Sequence, residues 1–102
     1  MSIPSLTPPQ RRFLKSLAHG LEPVMHVGRE GVSDKVAGAL DRAFANRELL
    51  KVQLLDGAES DKNEIAQQIA CAAKACLVQL IGFRVVLYRP NPGLKNRIVL
   101  PD

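Results

Sequence analysis

The sequence predicts an α/β (α+β) fold in which a mixed four-stranded sheet packs against three helices, in the order α-β-α-β-α-β-β. Three observations lead to this prediction. Apolar residues recur at helical spacing in three segments, each preceded by a residue that can cap a helix. Four apolar runs of strand length lie between and after these segments. Strands joined through a helix imply a partly parallel sheet, whereas Gly82-Phe83-Arg84 is short enough to join the last two as an antiparallel hairpin.

The first helix is predicted to begin at Thr7-Pro8-Pro9-Gln10. Thr7 can cap it, prolines are tolerated in a first turn, and Gln10 completes a capping box. The apolar positions predict a buried stripe made of Leu14, Leu17, Ala18 and Leu21. Steps of about 100° per residue place four basic side chains on the opposite side, namely Arg11, Arg12, Lys15 and His19. The helix is therefore expected to have one apolar face and one basic face, and to end at Gly20.

The other elements follow from the same periodicities. The second helix, capped by Ser33, is predicted to bury Val36, Ala37, Leu40, Ala43 and Phe44. The third helix, capped by Ser60, is predicted to bury Ile65, Ile69 and Ala72, with Cys76 as a further candidate. The four strands are predicted at Pro23–Val27, Leu49–Leu55, Leu77–Ile81 and Val85–Arg89. The residues after position 90 are predicted to form a basic tail with a short extended piece at 98–100.

The charge distribution favours an anionic partner. The chain has 14 basic and 10 acidic residues and a formal net charge of +4. Two stretches near the ends are basic and contain no acid: residues 1–21, with Arg11, Arg12 and Lys15, and residues 84–101, with Arg84, Arg89, Lys95 and Arg97. A fold that brings both stretches together would concentrate positive charge. With three Phe, one Tyr and no Trp, a broad stacking platform for single-stranded nucleic acid is disfavoured.

The candidate binding motif is Gly28-Arg29-Glu30-Gly31, which lies between a predicted strand and the Ser33 cap. Glycines allow the backbone to approach a ligand closely, and a helix N-terminus favours an anion. Arg29 is suited to bidentate contact with phosphate, and Lys35 lies one turn further on. Loops of the form GXXG clamp nucleic-acid backbones in KH domains. The motif alone favours an ordinary strand-to-helix turn, and Glu30 adds an anion beside the proposed phosphate site.

Other chemistry has little support in the sequence. His19 and His26 have no evident nucleophile or metal partner, and Cys71 and Cys76 lack metal-type spacing, so two buried thiols in a reducing cytoplasm are expected. The chain has no nucleotide-binding fingerprint, no apolar run long enough to cross a bilayer and no apolar signal core. We therefore expect a cytoplasmic monomer that is not an enzyme and has no cofactor, metal, membrane partner or small-molecule substrate.

Six segments, in this order, resemble one family. They are Leu17-Ala18-His19, Glu22-Pro23-Val24, Val27-Gly28-Arg29-Glu30-Gly31, Arg47-Glu48-Leu49-Leu50-Lys51-Val52, Val78-Gln79-Leu80-Ile81-Gly82 and Leu87-Tyr88-Arg89-Pro90. Over roughly residues 10–100 the chain resembles the YhbY-like proteins, the bacterial single-domain form of the chloroplast RNA splicing and ribosome maturation (CRM) domain. It departs from the family pattern at Lys74-Ala75, where a turn containing glycine is usual.

The resemblance implies one CRM-type RNA-binding domain over residues 1–102, with 1–6 and 91–102 as flexible or extended tails. It also implies a fold similar to the C-terminal domain of translation initiation factor 3 and a GXXG loop that contacts RNA. The implied role is non-enzymatic assembly of the large ribosomal subunit on precursor ribosomal RNA. The alternative is an adaptor that docks on a ribosomal or assembly protein. The loop and the basic residues together give the candidate RNA-binding set: Gly28, Arg29, Glu30, Gly31, Lys35, Arg11, Arg12, Lys15, Arg84 and Arg89.

Overall fold

The computed structural model describes residues 6–28, 33–55, 62–91, 93–94 and 98–101. Three helices and four strands follow one another as α1 (Pro8–Ala18), β1 (Pro23–Val27), α2 (Asp34–Phe44), β2 (Leu49–Leu54), α3 (Lys62–Ala73), β3 (Cys76–Ile81) and β4 (Arg84–Tyr88). The predicted order and the α+β class are confirmed. The predicted caps of the first two helices are also present: Thr7 and Gln10 form a capping box, and the Ser33 hydroxyl accepts a hydrogen bond from the Val36 N–H.

The four strands form one mixed sheet in the order β1-β2-β4-β3. β1 and β2, which are joined through α2, are parallel, whereas β4 is antiparallel to both β2 and β3. Gly82 lies in the β3–β4 turn with φ of +58°, which the first position of a tight hairpin turn requires and which glycine adopts readily. Because Val27 pairs with Leu54 and Gln53 pairs with Arg84, β1 and β2 end where β4 begins. We call this the Gly28 end of the sheet.

Each face of the sheet is covered by different elements. One face packs against α2 and α3, and its buried residues include Leu50, Val52, Val85 and Leu87 together with Phe44. The other face is covered by α1 over β2, β3 and β4, and its buried cluster consists of Leu14, Ala18, Leu49, Cys76, Val78, Val86 and Tyr88. Alternate residues along one strand therefore pack into two separate cores, because successive side chains of a strand point to opposite faces of the sheet.

The buried face of α1 is narrower than the sequence predicted. Leu14 and Ala18 are buried, but Leu17 is 42% exposed, so its predicted burial is wrong. Arg11 lies beside the sheet, where its Nη1 donates hydrogen bonds to the backbone oxygens of Leu77 at 2.6 Å and Val78 at 2.9 Å. Helical spacing correctly identifies which positions of α1 are apolar. It does not show that only one row of these positions is buried against the sheet. Nor does it show that the side of α1 that carries Arg11 reaches β3.

The rotation of α3 also differs from the prediction in part. Ile65 and Ile69 are buried as expected, but Ala72 is exposed, and the buried stripe continues through Ala66, Ala70 and Ala73. Alanine recurs around this helix, so the period alone could not fix which alanines face the sheet. Cys71 is exposed, which contradicts the expectation of two buried thiols. Cys76 is buried in β3 rather than in the helix, and this burial raises the pKa of its thiol.

The C-terminal residues that the structure describes are anchored to the domain. Ile98 and Leu100 pack against the cluster beneath α1, and Gln10 donates a side-chain hydrogen bond to the Pro101 oxygen at 3.0 Å. The Ile98 N–H donates to the Glu48 carboxylate at 2.6 Å. Residues 98–101 therefore add apolar surface to the core, although they form no regular strand.

Replacing Lys74 with glycine should stabilise the domain. Lys74 follows α3 with φ of +54°, and the next N–H, of Ala75, donates to the Ala70 oxygen at 2.9 Å, a bond that closes the helix end. This left-handed conformation costs an L-residue about 1–2 kcal/mol relative to glycine. We expect Lys74→Gly to raise the free energy of unfolding by about 0.5–1 kcal/mol in urea unfolding, after glycine's larger unfolded-state entropy is deducted. Lys74→Ala, which keeps the Cβ, should give no such gain; an equal gain would assign the effect to charge.

Candidate nucleic-acid interface

The GXXG motif begins at the end of β1. Gly28 is described, whereas Arg29, Glu30 and Gly31 lie outside the described residues. The Leu55 N–H donates to the Val27 oxygen at 2.8 Å, so β1 and β2 remain paired up to Gly28. A Cβ at Gly28 would lie 3.6 Å from Leu55 Cδ1, an ordinary van der Waals contact. Crowding inside the protein therefore does not require glycine at this position.

The N-terminus of α2 follows the loop and presents an exposed lysine. Ser33 caps the helix, and Lys35 lies in its first turn with its side chain exposed. Asp34 occupies the same turn and already places an acid near the positive end of the helix dipole. Lys35 provides a cation beside this acid at the helix N-terminus, on the side of the sheet that α2 and α3 cover.

Lys15 and Arg84 meet at a cavity on the other side of the sheet. The cavity has a volume of about 210 Å³ and lies between α1 and the strands. Its lining residues are Lys15, Ala18, His19, Lys51, Gln79, Ile81, Arg84 and Val86. Arg12, also on α1, is exposed to solvent and does not line the cavity. The fold thus brings together two predicted site residues that are 69 positions apart in the chain.

Arg84 is held in place by a neighbouring strand. Its Nε donates a hydrogen bond to Gln53 Oε1 at 3.2 Å, and the two residues are directly opposite each other on β4 and β2. Gln53 is in turn fixed by its own amide group, which donates to the Leu54 oxygen at 3.2 Å and the Phe83 oxygen at 3.3 Å. The remaining guanidinium donors of Arg84, an exposed residue, are thereby oriented at the Gly28 end.

The guanidinium groups of two other candidates are bonded within the protein. Arg11 binds the backbone of β3, as described above. Arg89 Nη1 lies 2.8 Å from Asp41 Oδ1 and donates to the Ala73 oxygen at 2.9 Å, while its guanidinium lies 5.0 Å from the centre of the Phe44 ring. The hydrogen bond and positive charge of Arg89 hold the pKa of Asp41 below its usual value. Arg89 follows β4 and is therefore at the opposite end of the sheet from Gly28.

Sequence reasoning missed Lys51. It was assigned only to a strand, yet the structure makes it one of two buried charged residues among those described, with 7% of its surface exposed. A signal was present, because Leu50, Val52 and Leu54 occupy one face of β2, and alternation turns Lys51 toward the other. What the sequence could not show is that this face receives the basic flank of α1.

The described part of the chain contains no group of three or more His, Cys, Asp or Glu side chains arranged to hold a metal ion. Among the same residues, no helix has the length and apolar character needed to cross a membrane.

Comparison with known proteins gives consistent matches over nearly the whole chain. The model of the CRS1/YhbY (CRM) domain matches residues 6–89. "Probable RNA-binding protein YqeI" of Bacillus subtilis is 42% identical over 96 residues, which cover 94% of this chain and 99% of that protein. An "RNA-binding protein" of Haemophilus influenzae is 37% identical over 94 residues, which cover 92% of this chain and 95% of that protein.

Among solved structures, the solution structure of the hypothetical protein SAV1595 from Staphylococcus aureus has the same fold. It superposes with a TM-score of 0.82 and 37% sequence identity, and the match covers 95% of this chain and 100% of that one.

Proposed function

The chain belongs to the CRS1/YhbY (CRM) domain family, and on that premise we propose that it binds structured RNA and acts without catalysis in assembly of the large ribosomal subunit. The observation that carries the RNA-binding proposal is the cavity beneath α1. Lys15, Lys51 and Arg84 converge on it, and among the residues that the structure describes no acid lines it. The names of two relatives, "Probable RNA-binding protein YqeI" of Bacillus subtilis and "RNA-binding protein" of Haemophilus influenzae, support the same interpretation.

We propose that recognition depends on RNA shape and backbone rather than on base stacking. Phe44 and Tyr88 are buried, and Phe83 is half-buried with the Lys62 ammonium 5.1 Å from its ring centre. Few aromatic faces are therefore left for unstacked bases, whereas several cations face solvent or the cavity. Double-stranded and folded RNA is recognised mainly through phosphates and 2′-hydroxyl groups, which suits such a surface.

A second candidate function is a protein-interaction adaptor. Phe13 and Leu17 lie one turn apart on α1 and are 36% and 42% exposed, so they form a small apolar patch on the outside of the helix. A protein partner would bury this patch, and its complex with the chain would survive nuclease treatment. If the chain instead associates with its partners through RNA, nuclease treatment should release it from the complex.

Ultraviolet crosslinking in cells, followed by sequencing of the attached RNA, tests the ribosomal role. Crosslinks concentrated in large-subunit ribosomal RNA and its precursors are expected. Crosslinks spread over cellular RNA in proportion to abundance would contradict the assembly role while leaving RNA binding intact. RNA recovered only at background level would contradict both and favour the adaptor.

The proposed contact of the GXXG loop is tested by Arg29→Glu. Replacing a cation that pairs with phosphate by an anion should weaken RNA affinity about tenfold or more and lower the salt slope by about one. The free energy of unfolding should change by less than about 0.5 kcal/mol, as is usual for surface substitutions. Arg42→Glu is the matched control, because it reverses an exposed charge in the last turn of α2, away from the loop. If both variants bind RNA like the parent protein, the loop is only a turn.

A further inference from the structure

Lys51 is a largely buried residue at the centre of β2. Its surface is 7% exposed, and among the described residues its ammonium group makes no hydrogen bond and no ion pair. The stem of the side chain is packed, whereas its ammonium group is open to the cavity, because no described side-chain nitrogen is both buried and without a hydrogen-bond partner. An anion that enters the cavity can therefore reach this ammonium group.

The surroundings of Lys51 add more positive charge. On β4, Val86 lies directly opposite Lys51, and Arg84 lies two residues away on the same face. On the other wall of the cavity, α1 contributes the cation of Lys15, beside the imidazole of His19. Like charges gathered in a space of about 210 Å³ repel one another, and none of the described residues that line it carries a negative charge.

An irregularity in β3 completes the cavity. The register between β3 and β4 shifts between Leu77 and Gln79, so Gln79 pairs with Val86 and Ile81 pairs with Arg84. This shift places the Gln79 amide, a neutral donor, on the same side as Lys51. Ala18, Ile81 and Val86 supply apolar walls, which exclude water and strengthen the attraction of an enclosed anion.

The geometry points to a phosphate group as the ligand of this cavity. A guanidinium and two ammonium groups can contact several oxygens of one phosphate, and a fixed guanidinium binds phosphate in a bidentate manner. Arg84 is at the Gly28 end, two strands from β1, a separation of about 10 Å at ordinary strand spacing. A nucleic-acid backbone at the Gly28 loop can therefore continue into the cavity.

We propose that this cavity binds one phosphate of the RNA backbone, with Lys51 as its innermost cation and Lys15 and Arg84 at its sides. The inference rests on the proposed RNA-binding function and deepens it. It assigns a binding role to Lys51, His19 and Gln79, which are not part of the candidate set from the sequence. Gln53 is a positioning residue, since it acts through Arg84.

The test replaces Lys51 with methionine, which keeps most of the side-chain length and removes the charge. Affinity for a labelled fragment of large-subunit ribosomal RNA should fall about tenfold or more, and the salt slope should fall by about one. The thermal midpoint without RNA should not fall, because the Lys51 ammonium group makes no hydrogen bond or ion pair among the described residues. A lysine with a purely structural role would instead lose stability on substitution. Lys74→Met is the control, since Lys74 is an exposed lysine that follows α3 and does not line the cavity.

Outcomes of this experiment separate the two proposals. If the parent protein binds the RNA and Lys51→Met binds it equally well with an unchanged slope, the cavity proposal is overturned and RNA binding stands. If the parent protein does not bind the RNA, both fail. A second arm titrates inorganic phosphate at constant ionic strength and follows the Gln79 and Arg84 resonances by NMR. RNA should displace phosphate from these residues; tight phosphate binding that RNA does not displace would assign the cavity to a free phosphate compound and overturn the backbone proposal.

Discussion

Replacing Glu48 with alanine should lower the free energy of unfolding by about 3–5 kcal/mol. The Glu48 side chain is 2% exposed, and its two carboxylate oxygens accept backbone hydrogen bonds of 2.6 Å each, from the N–H groups of Asn91 and Ile98. Bonds to a charged acceptor contribute about 1.5–3 kcal/mol each, and the variant also leaves two donors without a partner. A loss of this size is a large part of the stability of a small domain.

The damage should extend to the core beneath α1. The bond to Ile98 holds the C-terminal segment where Ile98 and Leu100 pack against the cluster containing Leu14. We expect Glu48→Ala to increase amide hydrogen exchange at Ile98 and Leu100 more than in β4, in addition to lowering the urea midpoint. Released apolar side chains would thus account for part of the stability loss.

Two variants check this explanation. Glu48→Gln keeps one carbonyl oxygen but directs an NH₂ group at the second N–H, so it should cost about half as much as alanine. Glu64→Ala removes an exposed acid from α3 and should change stability by less than about 0.5 kcal/mol. A loss below about 1 kcal/mol for Glu48→Ala would mean that the segment is not anchored through this carboxylate in solution.

The elements that sequence reasoning predicted correctly are those fixed by local interactions. The capping box at Thr7 and Gln10 and the cap at Ser33 involve residues three apart, and β1 has the predicted bounds Pro23–Val27. The order of strands in the sheet requires long-range pairing. The lengths of the connections predicted a partly parallel sheet and an antiparallel final hairpin, but they could not predict that β4 lies between β2 and β3.

The candidate site shows the same division between local and distant interactions. The basic row on α1 could be predicted from helical spacing, but the carbonyl partners of Arg11 are 66 and 67 positions away along the chain. Lys51 was overlooked because a lysine within a strand ordinarily faces solvent. Its burial depends on where α1 crosses the sheet and on the register shift in β3, and neither is encoded in a local pattern.

The affinity for RNA should fall most when four cations of the candidate RNA-binding set are removed together. We expect the variant Arg12→Gln/Lys15→Gln/Lys35→Gln/Arg84→Gln to bind large-subunit ribosomal RNA about 10²–10³-fold more weakly and to flatten the log–log salt slope by about three. Arg12 and Lys35 are exposed, Lys15 lines the cavity, and Arg84 keeps its terminal guanidinium donors while its Nε is bonded to Gln53, so each has donors available to phosphate. The measurement is affinity at a series of salt concentrations, at a temperature where circular dichroism shows the variant to be folded.

The matched comparison is Arg11→Gln/Arg89→Gln, which removes two cations that are bonded inside the protein. Arg11 holds the β3 backbone, and Arg89 joins β4 to Ala73 and Phe44, so this variant should lose about 2–4 kcal/mol of stability. The ion pair of Arg89 with Asp41 should add little, since Asp41 is 71% exposed. Because an engaged guanidinium gains less from phosphate, the salt slope should change by less than about one for the pair. Equal slopes for this variant and the fourfold variant would mean that Arg11 and Arg89 leave their protein partners to bind RNA, and that the charged surface is wider than the cavity and the Gly28 end.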